Sequence, residues 1–362
     1  MGVSKNTADD RLPFHQRVTL RDLAQKAGVS HVTISRALRN DPSISTARRA
    51  EVKKLAAAMG YRPDPSLSAL AAYRFAKQSH KIQSALAWLN RYQDPRQWRK
   101  FGELRAYWSG AEKAADRFGY HLEEIFWPPD SPLKRLEKIL ETRGVRGILM
   151  PPHHFPLDWS GFDWNKFSAV RFGMSVRNPD IHAVTTDQLR AVVMAMEKIR
   201  RHGYERIGLV VPRDFDRYLG GNYLGGFFAA HELFELGHLV PPLSTDIEIY
   251  NQRPEKARQQ MERWLHKHRP DAILTTVIQV PHLLFEIGLR IPQDVAVAVT
   301  SVLDLPLDAG INQNSEMVGR IAVETLISQI NLNERGQPVA PCRILVESLW
   351  QDGKSLPPKP AL

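Results

Sequence analysis

The sequence is short of the features on which many protein classes depend. A single cysteine, Cys342, stands among 362 residues, which excludes an internal disulfide and any zinc site built on several cysteines. It falls in the apolar run VAPCRILVE and is expected to be a small buried hydrophobe. No apolar run approaches the roughly 18 residues that span a bilayer. The N-terminus, MGVSKNTADDRLPFHQR, is polar and has no signal-peptide core. MGVSKN looks like a myristoylation sequence, but Asn6 stands where a Ser or Thr is required. The chain is therefore expected in the cytoplasm, with no membrane partner. Enzyme signatures are missing too: there is no P-loop, no G-x-S-x-G and no H-E-x-x-H. GGNYLGG is rich in glycine, but it lacks the strand-to-helix setting and the following acid of a dinucleotide fingerprint. The pairs His153–His154 and His266/His268 have no further ligand at metal spacing. No catalytic residue, metal or cofactor is expected, and the chain reads as a non-enzyme.

Positive charge is plentiful and unevenly placed. Of the net +10, +8 falls in residues 1–77, which hold 14 Lys or Arg against 6 Asp or Glu. A small basic module on a nearly neutral body is the electrostatic footprint of a nucleic-acid binder. The length is too great for one compact core and implies two or three domains.

Inside the basic module, VTLRDLAQKAGVSHVTISRAL reads as two short helices around a tight turn. Leu20, Leu23, Ala24 and Ala27 share one face of the first. Gly28 can take the backbone angles that reverse the chain, Val29 plugs the angle, and Ser30 is an N-cap. In the second helix Ile34, Ala37 and Leu38 face inward, leaving His31, Val32, Thr33, Ser35 and Arg36 outside. A third amphipathic helix runs from Ser45 to about Met59, with Val52, Leu55, Ala56 and Met59 inward and Gly60 as its stop. This is the pattern of a helix-turn-helix, whose second helix fits the major groove. A helical hairpin within an ordinary bundle has the same periodicity; the charge favours DNA. Arg17, Arg21, Arg36, Arg39, Arg48, Arg49, Lys53 and Lys54 are the expected phosphate contacts.

Over about fifty residues, the pieces VTLRDLA, AGVS, TISRAL, the Ile44-Ser45 entry to the third helix and GYRPDP keep the spacing of one family. The stretch resembles the headpiece of the LacI/GalR (lactose repressor) family of bacterial transcription regulators. The resemblance implies DNA contacts at Thr19, Leu20, Ser30, His31, Val32, Thr33, Ser35 and Arg36. His31, Val32 and Arg36 occupy the positions that choose the operator. Arg36 can take guanine through O6 and N7, Val32 can pack on a thymine methyl, and Thr33 and Ser35 are expected on phosphates. Residues 63–77 correspond to the hinge helix of the family, with Leu70 as a minor-groove wedge. The alternative is a linker whose Leu67 and Leu70 pack on a partner.

From Lys81 onward, strands and helices alternate, as in parallel sheets covered on both faces. Strands are expected at 82–89, 121–127, 145–150, 168–173, 183–186, 207–211, 246–250, 272–275 and 295–300, with helices between them. Two such sets imply two lobes. TTDQLRAVVMAMEKIRRHGYERIGLVV, RIPQDVAVAV and INQNSEMVGRIAVETLISQI also resemble the family. The implied fold is an all-α helix-turn-helix headpiece (17–62), a hinge segment (63–77) and an α/β two-lobed, periplasmic-binding-protein-like core (78–350). Lobe 1 would take about 78–186 and 311–334, and lobe 2 about 187–310 and 335–350.

A ligand between such lobes sits beyond the carboxyl ends of the strands. The candidates there are Asn90, Arg91, Asp94, His153, His154, Phe155, Asp187, Tyr223, Gln279, Ser301 and Asp304, each of which is equally readable as a solvated loop residue. Trp88, Tyr92, Trp98, Trp127, Phe155 and Trp159 are suited to stacking on a sugar and equally to filling a core. The family pattern breaks at two points. YLGGF places Tyr223 where the RxxGF motif has Arg, and VTSVLD replaces a GFDD-like turn. Both losses bear on the effector.

The expected function is a regulator, of repressor type, that binds a palindromic double-stranded DNA operator as a homodimer near the nucleoid. A small-molecule effector, carbohydrate-related, would act between the lobes. The tail SLPPKPAL has no heptads, so no tetramerising coiled coil is expected. Two rivals remain: a small-molecule-binding protein with a vestigial headpiece, and an activator or constitutive binder.

Overall fold

A computed structural model describes residues 18–38, 41, 43–61, 84–153, 157–176 and 178–360. The hinge segment with Leu70, as well as Arg17, Arg39, His154 and Phe155, lies outside the described residues. The chain parts near His80 into two compact units.

Among its described residues the first unit holds three helices, α1 (Leu20–Ala27), α2 (His31–Leu38) and α3 (Thr46–Ala58). Leu23, Ala24, Ile34, Ala37, Val52 and Ala56 are its buried centre, with Leu20, Val29, Leu38 and Leu55 packed around them. Helices this short are marginal alone, so the shared apolar face holds them. Local signals then set their ends. Thr19 and Asp22 close a capping box on α1. Gly28 sits at φ 65°, the left-handed geometry that ends α1. Ser30 Oγ accepts the Thr33 N–H at 3.1 Å, and Ser45 Oγ accepts that of Arg48 at 3.3 Å.

The second unit contains two sheets. The first is built from β1 (Ser84–Asn90), β2 (Tyr120–Phe126), β3 (Gly147–Met150), β4 (Ser168–Phe172), β5 (His182–Thr186) and β10 (Arg343–Val346). Its strand order is β10-β5-β4-β3-β1-β2, parallel throughout. The second holds β6 (Ile207–Val210), β7 (Ala272–Thr275), β8 (Ala296–Val299), β9 (Gly310–Asn312) and β11 (Leu349–Gln351), in the order β11-β9-β8-β7-β6. Only β11 runs antiparallel to its neighbour. The strands β3, β4, β6, β7 and β8 are buried on both faces. Helices α4 (Gly102–Arg117), α5 (Leu133–Thr142) and α12 (Ser315–Leu332) belong to the first lobe. To the second belong α6 (Gln188–Arg201), α7 (Arg213–Tyr218), α8 (Asn222–Leu233), α9 (Ile247–Gln252), α10 (Pro254–His268) and α11 (Val280–Glu286).

Three expectations change, and one open choice is decided. The strand placed at 246–250 is the helix α9. IEIY alternates in polarity, but so short an apolar run does not fix its period, and only Leu243 bridges to β6. The lobe limits move at both ends. Residues 310–312 pair in the second sheet, and β10 lies in the first, against β5. So 335–350 is not one lobe-2 segment: Arg343–Val346 and Leu349–Gln351 look like one strand in sequence, yet the chain changes lobes between them. Cys342 is exposed rather than buried, because it enters an edge strand with one open face. Trp88, Tyr92, Trp98 and Trp159 are core residues, at most 4% exposed. Trp88 lies 5.4 Å from Trp98 and 5.3 Å from Phe172, ring centre to ring centre.

Three crossings join the lobes and are tied to one another. Asp187 N donates to Val346 O at 3.0 Å. Thr186 Oγ1 donates to Gln313 O at 2.8 Å, and Gln313 Nε2 to Thr300 O at 3.0 Å. Among the described residues no helix is long and apolar enough to cross a membrane.

Candidate nucleic-acid interface and ligand site

Burial of Ile34 and Ala37 turns the rest of α2 outward. His31 and Arg36 are exposed, Val32 is 46% exposed, and Thr33 and Ser35 are half-buried. The Arg36 side chain makes no hydrogen bond or ion pair with another described residue, so its five N–H donors face outward. Ser30 and Thr33 share a hydroxyl contact of 2.9 Å at the helix start. Thr19 is engaged in the capping box, accepting from Asp22 N and donating its own N–H to Asp22 Oδ2 at 2.7 Å. Those bonds hold the Asp22 carboxyl below its usual pKa. Leu20 is half-buried against the centre of the unit.

The basic residues are not equivalent. Arg21, Lys53 and Lys54 are exposed. Arg48 pairs with Glu51 at 2.6 Å and donates through Nη2 to Ala27 O at 3.2 Å. It therefore ties α3 to the carbonyl end of α1, a structural role that periodicity alone does not reveal. Arg49 donates to Thr46 Oγ1 at 3.1 Å.

In the core the sequence-predicted candidates separate into groups. Ser301, Asp304 and Tyr223 gather around Glu103, in the first turn of α4. Ser301 and Ser315 donate their hydroxyls to the two Glu103 carboxylate oxygens. Asp304 Oδ1 accepts the Glu103 N–H at 3.2 Å. A Cβ on Gly102 would collide with the Leu303 carbonyl, so the lobes meet backbone to backbone here. Burial pushes the Glu103 carboxyl above its usual range, against the pull of the two serines. Tyr107 and Tyr223 flank it, both held phenolic by burial. Sequence reading missed Glu103. Its one local signal was an acid in the first turn of a helix that opens with glycine.

A second group lies at the strand ends of the first lobe. Asn90 is fully buried and spends its amide on Pro95 O at 2.9 Å and Glu124 Oε1 at 2.7 Å. His153 Nε2 accepts the Arg91 N–H at 3.2 Å, and the Tyr92 ring lies 4.8 Å from that of His153.

The remaining candidates stand apart. Asp94 is exposed, 3.6 Å from Lys100. Asp187 caps α6 through the Arg190 N–H at 3.0 Å. Gln279 Nε2 donates to Asn251 at 2.9 Å.

The profile of "Bacterial regulatory proteins, lacI family" matches residues 19–64, and that of the periplasmic binding protein-like domain matches residues 196–355. Residues 19–64 thus carry the headpiece pattern of the lacI family, followed by a periplasmic binding protein-like domain. Its relatives include the HTH-type transcriptional regulator KdgR of Bacillus subtilis, 24% identical over 88% of this chain and 93% of the relative. The ribose operon repressor of Escherichia coli is 25% identical over 86% of this chain and 93% of its own. Among solved structures, a complex of the transcriptional regulator CelR with cellobiose covers 94% of this chain and 100% of its own, with TM-score 0.54 at 20% identity. The lac repressor dimer bound to operator and the anti-inducer ONPF covers 94% and 99%, with TM-score 0.51 at 17% identity. At these identities the two structures speak for the fold.

Proposed function

We propose that this chain is a lacI-family, sequence-specific DNA-binding transcription regulator, of repressor type, that works in the cytoplasm on a two-fold operator. The observation that carries this reading is the outer face of α2. A helix whose inner face is fully packed presents His31, Val32 and Arg36 to the outside, on the unit that holds most of the net charge. One such helix reads a half-site, so a homodimer matches a palindrome. The names of the relatives, transcriptional regulators and operon repressors, support regulation over catalysis. A small-molecule ligand between the lobes fits the CelR–cellobiose complex. It would act by binding open and closed arrangements of the lobes unequally.

Selecting bound sites from random DNA tests the reading. The selected sequence should be palindromic, and binding should weaken steeply with salt. Arg36→Ala should lower discrimination between that site and random DNA by about 1–3 kcal/mol, on the order of ten- to a hundredfold. Unchanged discrimination in a gel-shift titration would remove Arg36 from base reading.

A further inference from the structure

Arg91 follows β1 directly and is 1% exposed. Its guanidinium carbon lies 4.7 Å from the centre of the Trp159 ring. Nη2 donates to Pro129 O at 2.8 Å, but Nε and Nη1 have no acceptor among the described residues. Burying a cation without a counter-ion is costly, and folds seldom tolerate it without a reason. Asp158 and Asp130 are near enough to act on Arg91 through space. Neither pairs with it: Asp158 accepts from Ser160, and Asp130 accepts from Gln93.

The same lobe shows a buried arginine satisfied from within. Arg171 is 3% exposed. Its Nε donates to Ile181 O and its Nη1 to Gly173 O, and its Nη2 lies 3.7 Å from Asp180.

The neighbours of Arg91 repeat its deficit. The indole N–H groups of Trp127 and Trp159 are buried and lack acceptors as well. Trp127 is tied to the end of β1 by its own N–H to Asn90 O at 2.8 Å, and it packs in one apolar cluster with Trp159. The carboxyl ends of β1 and β2 and the loop after β3 thus carry, on three residues, four nitrogen donors without acceptors among the described residues. This is the end of a parallel sheet at which ligands sit. A sugar hydroxyl both donates and accepts; an anion only accepts, and it would give the guanidinium the direct ion pair that Asp158 and Asp130 do not make. The arginine of the RxxGF motif is absent from the other lobe, where Tyr223 stands.

We propose that Arg91, with the Trp127 and Trp159 indoles, forms an anion subsite in the first lobe, and that the regulatory ligand carries a carboxylate or a phosphate. This deepens the ligand-controlled reading above and rests on it.

The test uses the full chain. Calorimetry and thermal melting are run with gluconate, glucuronate, glucose 6-phosphate and neutral glucose, so that the arms separate carboxylate from phosphate. At least one acid should bind and raise the melting temperature, while glucose should bind at least tenfold more weakly. Arg91→Gln should weaken the acid about ten- to a hundredfold, as loss of a charge-assisted contact does, and leave glucose unchanged. The unliganded variant should melt at or above the wild-type temperature, because an unpaired buried charge is gone; a purely structural arginine would lower it. Glucose binding as tightly as the acids, an acid indifferent to Arg91→Gln, or no acid bound at all would each overturn the subsite. If the variant does not fold, the preference of the wild-type chain for acid over glucose decides. DNA selection with the unliganded chain separates the two readings. A palindrome bound with no acid bound removes the subsite alone; an acid bound with no palindrome removes the regulator.

Discussion

The headpiece and the core use polar side chains in opposite ways. On α2 the side chains of Arg36 and His31 are left unspent, with no bond to another described residue, and their helix is held from behind by Leu23 and Ile34. At the strand ends of the core most candidates are already engaged. Asn90, Asp187, Ser301 and Asp304 all hold the protein's own loops or lobes together, and the guanidinium of Arg91 stands out because only its Nη2 is so engaged. A surface that reads DNA can be built on one face of one element. A site between lobes has to be assembled from loops that must first fix themselves.

The largest effect expected from this contrast is in the headpiece. Leu23→Ala should cost about 2–5 kcal/mol, because a fully buried side chain leaves a cavity in a very small centre. Circular dichroism should show loss of helix together with loss of operator binding. Full DNA affinity in that variant would mean that the inner face does not hold the outer one.

The next effect lies between the lobes. The folded pKa of Glu103 is raised above its ordinary value of 4.5, so the folded chain holds this proton more tightly than the unfolded one. Its contribution to stability is full below about pH 4.5 and is lost as pH rises through the raised value. Asp304 opposes its ionisation, and the two serines favour it. Melting temperature measured from pH 4 to 8 should therefore fall more steeply for the wild type than for Glu103→Gln, which has no proton to lose. Parallel curves would assign the titration to another group.

The smallest effect separates the basic residues. Lys53→Ala should weaken binding to operator and random DNA alike and reduce the salt slope by about one. A change confined to one sequence would give Lys53 a base contact instead.

The headpiece was legible because its signals are local. Thr19 with Asp22, Gly28, Ser30 and Ser45 mark the helix ends within three residues of where they act, and the 3.6-residue period sorts inside from outside. Alternating strands and helices made the two lobes legible for the same reason. IEIY at 247–250 was misread because four residues carry no firm period. Residues 343–351 were misread because the crossing between lobes falls inside what looks like one strand.

By itself, then, the sequence determined the three-helix headpiece, its outward face and the α/β character of the core, since short-range sterics and hydrophobic period suffice for these. Only the tertiary structure decided which loop residues are spent and which are free. Arg48 is spent on α1, Glu103 is clasped by serines some two hundred residues away, and Arg91 is buried with two of its nitrogens unpaired. Such pairings depend on distances across the fold, and the order of residues along the chain does not encode them locally.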